Sequence, residues 1–375
     1  MRSLVCPLLI VSACYVGVET DAQGVVSGLP EGSSTGRHTG GRATEAGGAS
    51  GASGRVDEDP TESSGETGDP TVDDESDGSS SASIDGEGTG SESSSGGGQA
   101  SMCPEGMLDV PLFALDPQET GVAISDGYVH LYAEPTGPAR GELFVFLPGS
   151  NAPPGWYELI LQLAAAGGYH VLGLAYRNEV NLSDACGGGG PEGCQYNARR
   201  EVIYGANMSG LVSVTPPDSI HNRLVRALQY LEWDEYLQGE VPRWSSIAFA
   251  GHSQGGGHVG VLAQDHDVAR AVLVSGTESA DWTEQPMATP SDRLFGFVHV
   301  EDGNYGAMTN SWSNLGIPGP PTSVDSVDPP YASHQLTTAL PSSNPHASPA
   351  ADEDTPLGVD DLPVYLPVWC AALGL

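Results

Sequence analysis

The stretch that decides the fold runs from Ile247 to Ala263 and reads IAFAGHSQGGGHVGVLA. Its first four residues are apolar and predict a buried strand, whereas the residues after the glycines predict a helix. The turn between them has the pattern Gly-x-Ser-x-Gly, centred on Ser253. Small residues are needed on such a turn, because a Cβ would collide with the adjoining strand and helix. The alternative is a glycine-rich turn that only connects a strand to a helix.

Short β-prone runs alternate with helical runs on both sides of this turn, which is typical of a sheet covered by helices. Strands are predicted at residues 128–133, 143–147, 170–175, 246–250, 270–275, 294–300 and 334–340, and helices at 156–166, 218–231, 256–263 and 364–373. We therefore predict an α/β fold with a mostly parallel central sheet flanked by helices. Residues 176–217 have no regular period, and we expect an insertion over the sheet there, a candidate lid.

Composition divides the chain into a linker and a domain. Residues 15–101 are rich in Gly, Ser, Thr and acidic residues, so they bury too little apolar surface to offset their chain entropy. A disordered acidic linker is predicted there, and one sizeable α/β domain over residues 102–375. The chain has a net charge of −36 and contains no lysine. Such a surface cannot displace counterions from nucleic acid, which excludes a nucleic-acid-binding protein.

The N-terminal residues 1–14 read MRSLVCPLLIVSAC. A positive start, a short apolar run and small residues before Cys14 are typical of an export signal, and the run is too short to span a membrane. The last four residues resemble the lipobox of bacterial lipoproteins, which implies lipidation of Cys14. We expect an exported monomer that meets the cell envelope, at the outer membrane or cell surface, only through this lipid. An ordinary signal peptide and a secreted product are the alternative.

Four cysteines remain after the signal: Cys103, Cys186, Cys194 and Cys370. An even number in an exported chain predicts disulfides, with three connectivities open. We favour Cys186–Cys194, which closes a glycine-rich loop, and Cys103–Cys370, which ties the ends of the domain. The spacing lacks the short Cys-x₂₋₄-Cys pattern of zinc ligands, so no metal is predicted.

The strand, the Gly-x-Ser-x-Gly turn and the helix resemble those of the α/β-hydrolase superfamily, over most of residues 143–375. The resemblance implies that Ser253 is a nucleophile after the fifth strand, with an acid after a later strand and a histidine after the last. A hydroxyl needs a base, and imidazole is suited to this near neutral pH. We choose His346, in a loop beyond the last predicted strand, and keep His334 as the alternative base. His252 and His258 are interpreted as packing or pocket-lining residues.

The acid and the oxyanion donors also follow from the resemblance. Asp302 is chosen as the acid because it follows the strand ending at residue 300, ahead of its neighbour Glu301. Glu278 and Asp281, after the preceding strand, are the second choice. The oxyanion donors are expected to be the backbone amides of Gln254, after the nucleophile, and of Ser150 or Asn151, after the third strand. Many relatives have His-Gly before these last two residues, where this chain has Pro-Gly.

These residues predict a serine hydrolase that cleaves a carboxylic ester, a lipid or a polyester through an acyl-enzyme, without a metal or an organic cofactor. Trp156, Tyr157 and Trp312 are candidates for an acyl pocket, although such aromatic residues more often belong to a core. The alternative function is a surface binding module that keeps the fold but lacks catalysis.

Overall fold

The structure is a computed structural model, and it describes residues 103–104, 108–123, 127–187, 191–277 and 282–375. The predicted signal peptide with its lipobox, 1–14, and the predicted linker, 15–101, lie outside the described residues, as do Glu278 and Asp281.

The described residues contain one large sheet and a small hairpin. The strands in chain order are β1 (Phe113–Leu115), β2 (His130–Ala133), β3 (Leu143–Leu147), β4 (His170–Gly173), β5 (Leu237–Gln238), β6 (Val241–Pro242), β7 (Ile247–His252), β8 (Arg270–Val274), β9 (Leu294–His299), β10 (Thr322–Ser323) and β11 (Gln335–Thr338). Strands β5 and β6 pair with each other, and the other nine form a sheet of order β1-β2-β4-β3-β7-β8-β9-β11-β10. The pairs β1–β2 and β2–β4 are antiparallel, and all others in this sheet are parallel.

Helices cover both faces of this sheet. They are α1 (Glu158–Ala166), α2 (Leu182–Ala185), α3 (Cys194–Tyr204), α4 (Ile220–Tyr230), α5 (Gln254–Asp265), α6 (Tyr305–Asn314) and α7 (Leu366–Leu373). Alternate residues of β3 enter two separate cores: Val145 packs with α3, α4, α5 and α6, whereas Phe146 packs with α1 and α7. Both faces are buried, which explains the continuous apolar runs in β3, β7 and β9. The predicted α/β class with a mostly parallel sheet is confirmed.

The predicted strands and helices all occur, with ends shifted by a few residues. Residues 176–217, whose sequence has no regular period and for which no element was predicted, contain α2 and the three-turn helix α3. Helix α3 buries Arg199 and Glu201 along with its apolar residues, so its sequence lacks an apolar stripe of helical period. Strands β1, β5, β6 and β10 and helix α6 were not predicted either.

Both predicted disulfides are confirmed. Cys103–Cys370 joins the start of the domain to α7, with Cα atoms 5.5 Å apart, and Cys186–Cys194 joins α2 to α3 at 5.8 Å. Two structural disulfides indicate an oxidising compartment. Among the described ranges no helix is both long and apolar enough to cross a bilayer, and no three His, Cys, Asp or Glu side chains converge as metal ligands would.

Candidate active site

Ser253 lies on the turn between β7 and α5 with a strained backbone. Its φ of 54° and ψ of −118° are conformations that residues with a Cβ rarely adopt, at a cost of about 1–3 kcal/mol. The turn is held in place because the amide of Ser253 donates to the carbonyl oxygen of Val274, at the end of β8, at 2.8 Å. The strain is thus borne by the surrounding sheet, and it exposes the Ser253 side chain at the carboxyl ends of the strands.

The glycines on either side of Ser253 are required by close backbone contacts. A Cβ on Gly251 would lie 2.4 Å from the carbonyl carbon of Gly255, and a Cβ on Gly255 would lie 2.0 Å from the carbonyl oxygen of Leu147 in β3. No larger residue fits at these two positions without moving the backbone. The Gly-x-Ser-x-Gly pattern is therefore dictated by how tightly α5 packs against the sheet.

Three side chains, Ser253, His346 and Asp302, form a continuous hydrogen-bonded line. His346 Nδ1–H donates to Asp302 Oδ2 at 2.7 Å, and the Ser253 hydroxyl donates to His346 Nε2 at 2.8 Å. These directions follow because a carboxylate only accepts, which assigns the proton of a neutral imidazole to Nδ1. Asp302 follows β9, and His346 lies in the turn-rich segment after β11. The three residues chosen from the sequence thus meet at one edge of the sheet.

Asp302 is well suited to holding an ionised carboxylate beside an imidazole. Burial by itself raises the pKa of Asp302, but hydrogen bonds from His346 and from the amide of Asn304 outweigh it and keep the pKa below its usual value. Its neighbour Glu301 is exposed, and the backbone amide of Glu301 bonds to His299 Nδ1. The order of preference between the two acids therefore agrees with their positions.

His334, the alternative base, lies at the amino ends of the parallel strands, opposite to Ser253. It precedes β11, its Nδ1–H donates to the carbonyl oxygen of Leu294 at the start of β9, and its ring stacks on Phe295 with centroids 3.9 Å apart. Because β9 and β11 are parallel, the residue before β11 and the residue after β9 are at opposite ends of the strands. The structure therefore brings His346, and not His334, to Ser253.

The loop after β3 contains the proposed oxyanion donors. The amide of Asn151 donates to the carbonyl oxygen of Asn178 at 3.0 Å, and the amide of Gly149 donates to the Tyr157 hydroxyl at 3.2 Å. Within the part of the chain that the structure describes, the amides of Ser150 and Gln254 donate to no protein acceptor. Of the two donors left open by the sequence, Ser150 is the one with a free N–H.

Residues of the 176–217 segment bond both to this loop and to Gln254, the residue after Ser253. Asn178 Nδ2 donates to the carbonyl oxygens of Gly149 at 2.7 Å and Ala152 at 2.9 Å. Arg199 donates to the carbonyl oxygen of Gln254 at 2.9 Å, and the amide of Leu182 donates to the Gln254 side chain at 3.1 Å. The predicted insertion therefore holds the turn after Ser253 through hydrogen bonds to Gln254. Asn178 was missed, because nothing local in the sequence marks an asparagine that bonds to a distant loop.

A cavity of about 400 Å³ opens beside Ser253 and His346. Trp156 and Tyr157 both line it, with 56% and 1% of their surfaces exposed, whereas Trp312 is buried in the core. The charged lining residues are Asp352, Glu353 and Asp354. Burial raises the pKa of Asp352 to about 7, although its carboxylate accepts hydrogen bonds from the amides of Leu159 and Glu158 at the start of α1.

No protein-family model matches the chain, and no curated protein sequence matches it. Among solved structures, the chain is similar to the crystal structure of TT1662 from Thermus thermophilus, with 15% sequence identity and a TM-score of 0.32. The match covers 61% of this chain and 87% of that chain. A function for this chain therefore has to be inferred from its own residues.

Proposed function

We propose that this chain is a serine hydrolase of the α/β-hydrolase type that cleaves carboxylic esters by acyl transfer. The observation that carries the proposal is the hydrogen-bonded line from Asp302 through His346 to Ser253, with bonds of 2.7 and 2.8 Å. Ser253 lies on a turn with a strained backbone at the carboxyl ends of the strands. Nucleophile, base and orienting acid within hydrogen-bond reach are what nucleophilic catalysis by serine requires.

The topology supports the same assignment. Ser253 follows β7, the fifth strand of the nine-stranded sheet, and Asp302 follows β9, the seventh. His346 comes after the last strand, β11. This is the order that the resemblance to the α/β-hydrolase superfamily implied, and it brings three chain-distant residues to the carboxyl ends of parallel strands, where sites in open α/β sheets form.

In the first half-reaction, Ser253 Oγ attacks the ester carbonyl carbon while His346 Nε2 takes the hydroxyl proton. Asp302 remains ionised and stabilises the imidazolium through Nδ1–H. The tetrahedral oxyanion accepts hydrogen bonds from the amides of Gln254 and Ser150, and each such donor contributes about 10²- to 10³-fold in rate. The intermediate then breaks its bond to the alcohol, which leaves with the proton from His346, and an acyl-serine ester remains.

In the second half-reaction, water replaces the alcohol. His346 removes a proton from the water as its oxygen attacks the acyl-serine carbonyl, and the same two amides hold the oxyanion. Collapse of this intermediate returns the proton to Ser253 Oγ and releases the carboxylic acid. The alcohol, the acid and the free serine account for all atoms of the ester and one water.

The cavity limits which esters fit. Its volume of about 400 Å³ and the exposed Trp156 favour an ester with an apolar acyl or alcohol group of modest size. The three carboxyl groups on the lining disfavour anionic substrates.

We place this activity in the cell envelope, with the exported chain anchored by lipid at Cys14, and the disulfides agree with export.

The test is labelling of the full mature chain with a fluorophosphonate, with the adduct located by mass spectrometry. We expect one adduct on Ser253 and none on a Ser253→Ala variant with the same circular dichroism spectrum. Folded wild-type protein that takes no label would contradict the proposal and would indicate a binding module without catalysis.

A further inference from the structure

His252, next to the nucleophile, connects the two loops that the proposed reaction depends on. We propose that His252 is a positioning residue that sets the His346 loop relative to the oxyanion loop, an inference that rests on the proposed function. Three hydrogen bonds in series carry it, and they join Gly149, Tyr157, His252 and His346.

The direction of each bond in this series is determined by chemistry. The carbonyl oxygen of His346 can only accept, so His252 Nε2 must carry the proton in their bond of 2.9 Å. The other ring nitrogen, Nδ1, then accepts from the Tyr157 hydroxyl at 3.0 Å. The Tyr157 oxygen in turn accepts from the amide of Gly149 at 3.2 Å. One neutral tautomer of His252 satisfies every partner.

The surroundings keep His252 in this neutral form. His252 is only 5% exposed and Tyr157 only 1%. Burial, together with the nearby His346, lowers the pKa of His252 to about 3, so the ring stays neutral at the pH where an ester hydrolase of this type works. Both ring nitrogens are occupied, and His252 therefore cannot act as a second base toward Ser253.

The two ends of the series are the parts whose relative placement matters most. At one end, the bond to His346 fixes the peptide group of the base itself. At the other end, the bond to the amide of Gly149 holds the Pro148–Gly149 peptide, which directly precedes the peptide that carries the N–H of Ser150, the proposed oxyanion donor. The ring of His252 also contacts this loop closely, since a Cβ on Gly149 would lie 3.1 Å from His252 Nδ1. A displacement of about 1 Å between base and oxyanion donor is enough to cost about 100-fold in rate.

Three variants separate positioning from packing. His252→Phe keeps a buried ring but removes both hydrogen bonds, His252→Gln keeps an N–H donor at the reach of Nε2, and Tyr157→Phe removes only the hydroxyl. The matched control is His334→Phe, a half-buried histidine that also stacks on an aromatic ring but lies at the opposite edge of the sheet. Circular dichroism and thermal melting establish which variants fold.

The measurements are kcat and KM on a neutral short-chain ester and the rate of fluorophosphonate labelling. For His252→Phe we expect kcat and the labelling rate to fall together by about 10- to 100-fold, with KM within about threefold of wild type. His252→Gln should recover a large part of that loss, Tyr157→Phe should lose about 3- to 10-fold, and His334→Phe should match wild type.

Wild-type kcat in His252→Phe, a loss confined to KM, or a Gln variant no better than Phe would each overturn the positioning role while leaving the proposed function intact. If His252→Phe does not fold, Tyr157→Phe and His252→Gln test the positioning role instead. A fully active Tyr157→Phe variant together with an inactive His252→Gln variant would contradict that role. Wild-type protein that takes no label overturns the proposed function, and this inference with it.

Discussion

His334 and His346, the alternative and the chosen base of the sequence analysis, lie on either side of strand β11. His334, at the amino end, stacks on Phe295 and bonds to a backbone carbonyl, whereas His346, beyond the carboxyl end, lies between a serine and a carboxylate. The side chains are chemically identical. Their difference shows that the role of a histidine is decided by which end of the parallel strands it reaches, because only one end gathers the loops after β7 and β9.

The cavities at the two ends differ in the same way. At the amino ends, a cavity of about 620 Å³ lies against Phe295, His334 and the Cys103–Cys370 disulfide, with several prolines around it. At the carboxyl ends, the cavity is smaller but contains Ser253, His346 and acidic side chains. The residues of the proposed reaction therefore line the smaller of these two cavities.

The largest effect on kcat should come from replacing His346 and His334 by alanine, one at a time. His346→Ala should lower kcat for a p-nitrophenyl ester by about 10⁴- to 10⁶-fold, because the base is lost, and Ser253→Ala by a similar factor. His334→Ala, the matched control, should keep kcat within about threefold of wild type, since His334 bonds to Leu294 and stacks on Phe295 at the ends of the strands opposite to Ser253. A loss in His334→Ala as large as in His346→Ala would break the comparison of the two ends.

A second effect separates two adjacent acids after β9. Asp302→Asn should lower kcat by about 10²- to 10⁴-fold, because the amide cannot hold His346 in the tautomer that accepts the serine proton. Glu301→Gln should leave kcat within about twofold, since the Glu301 side chain is exposed. The measurement is the pH dependence of kcat/KM for both variants. Equal losses of kcat would indicate that the negative charge of the loop after β9, and not the hydrogen bond from His346 to Asp302, supports catalysis.

The disulfides should sharpen the comparison, because one lies at each end. Replacing Cys103 and Cys370 by serine opens a loop of 267 residues and should lower the free energy of unfolding by up to about 5 kcal/mol, with activity of the folded protein preserved. Replacing Cys186 and Cys194 opens a loop of 8 residues, and should cost about 2–3 kcal/mol. This second pair should also lower kcat about tenfold, because α2 and α3 bond to the nucleophile turn. Urea unfolding measures the loss of stability, and ester kinetics measure kcat. A lower kcat after loss of Cys103–Cys370, with unchanged kcat after loss of Cys186–Cys194, would contradict the prediction.

The smallest effect is a change of the free energy of unfolding with pH that comes from Asp352, a residue lining the cavity beside Ser253. Burial raises the pKa of Asp352 to about 7 in the folded chain, whereas in the unfolded chain an aspartate ionises at about 3.9. Between these values the folded state binds more protons, so stability falls as the pH rises from about 4 to about 7, by no more than about 4 kcal/mol. Asp352→Asn should remove this fall, and Asp292→Asn, an exposed residue before β9, should keep it. Urea midpoints at several pH values measure the effect, and an unchanged slope in Asp352→Asn would contradict it.

Local patterns were enough to predict the central strands and the serine turn, whereas the candidates for the partners of Ser253 came from the resemblance to the α/β-hydrolase superfamily. The buried strands show continuous apolar runs, and the serine turn is marked by glycines that close packing demands. Helix α3 was missed because it buries Arg199 and Glu201, whose partners lie elsewhere in the fold. Helix α6 was missed because its sequence, YGAMTNSWSN, contains few strong helix formers and only two large apolar residues that face the core.

The sequence by itself determined the α/β class and the turn at Ser253, since both depend on periodicity and spacing along the chain. It favoured one of three cysteine pairings, and its resemblance to the α/β-hydrolase superfamily gave a short list of partners for Ser253. Only the tertiary structure decided that His346 meets Ser253 while His334 does not, that Ser150 and not Asn151 has the free amide, and that Asn178 and His252 hold the surrounding loops. The reason is physical. These contacts depend on strand order and on crossovers between distant segments, and no property of a local stretch encodes which distant residue will lie within 3 Å of it.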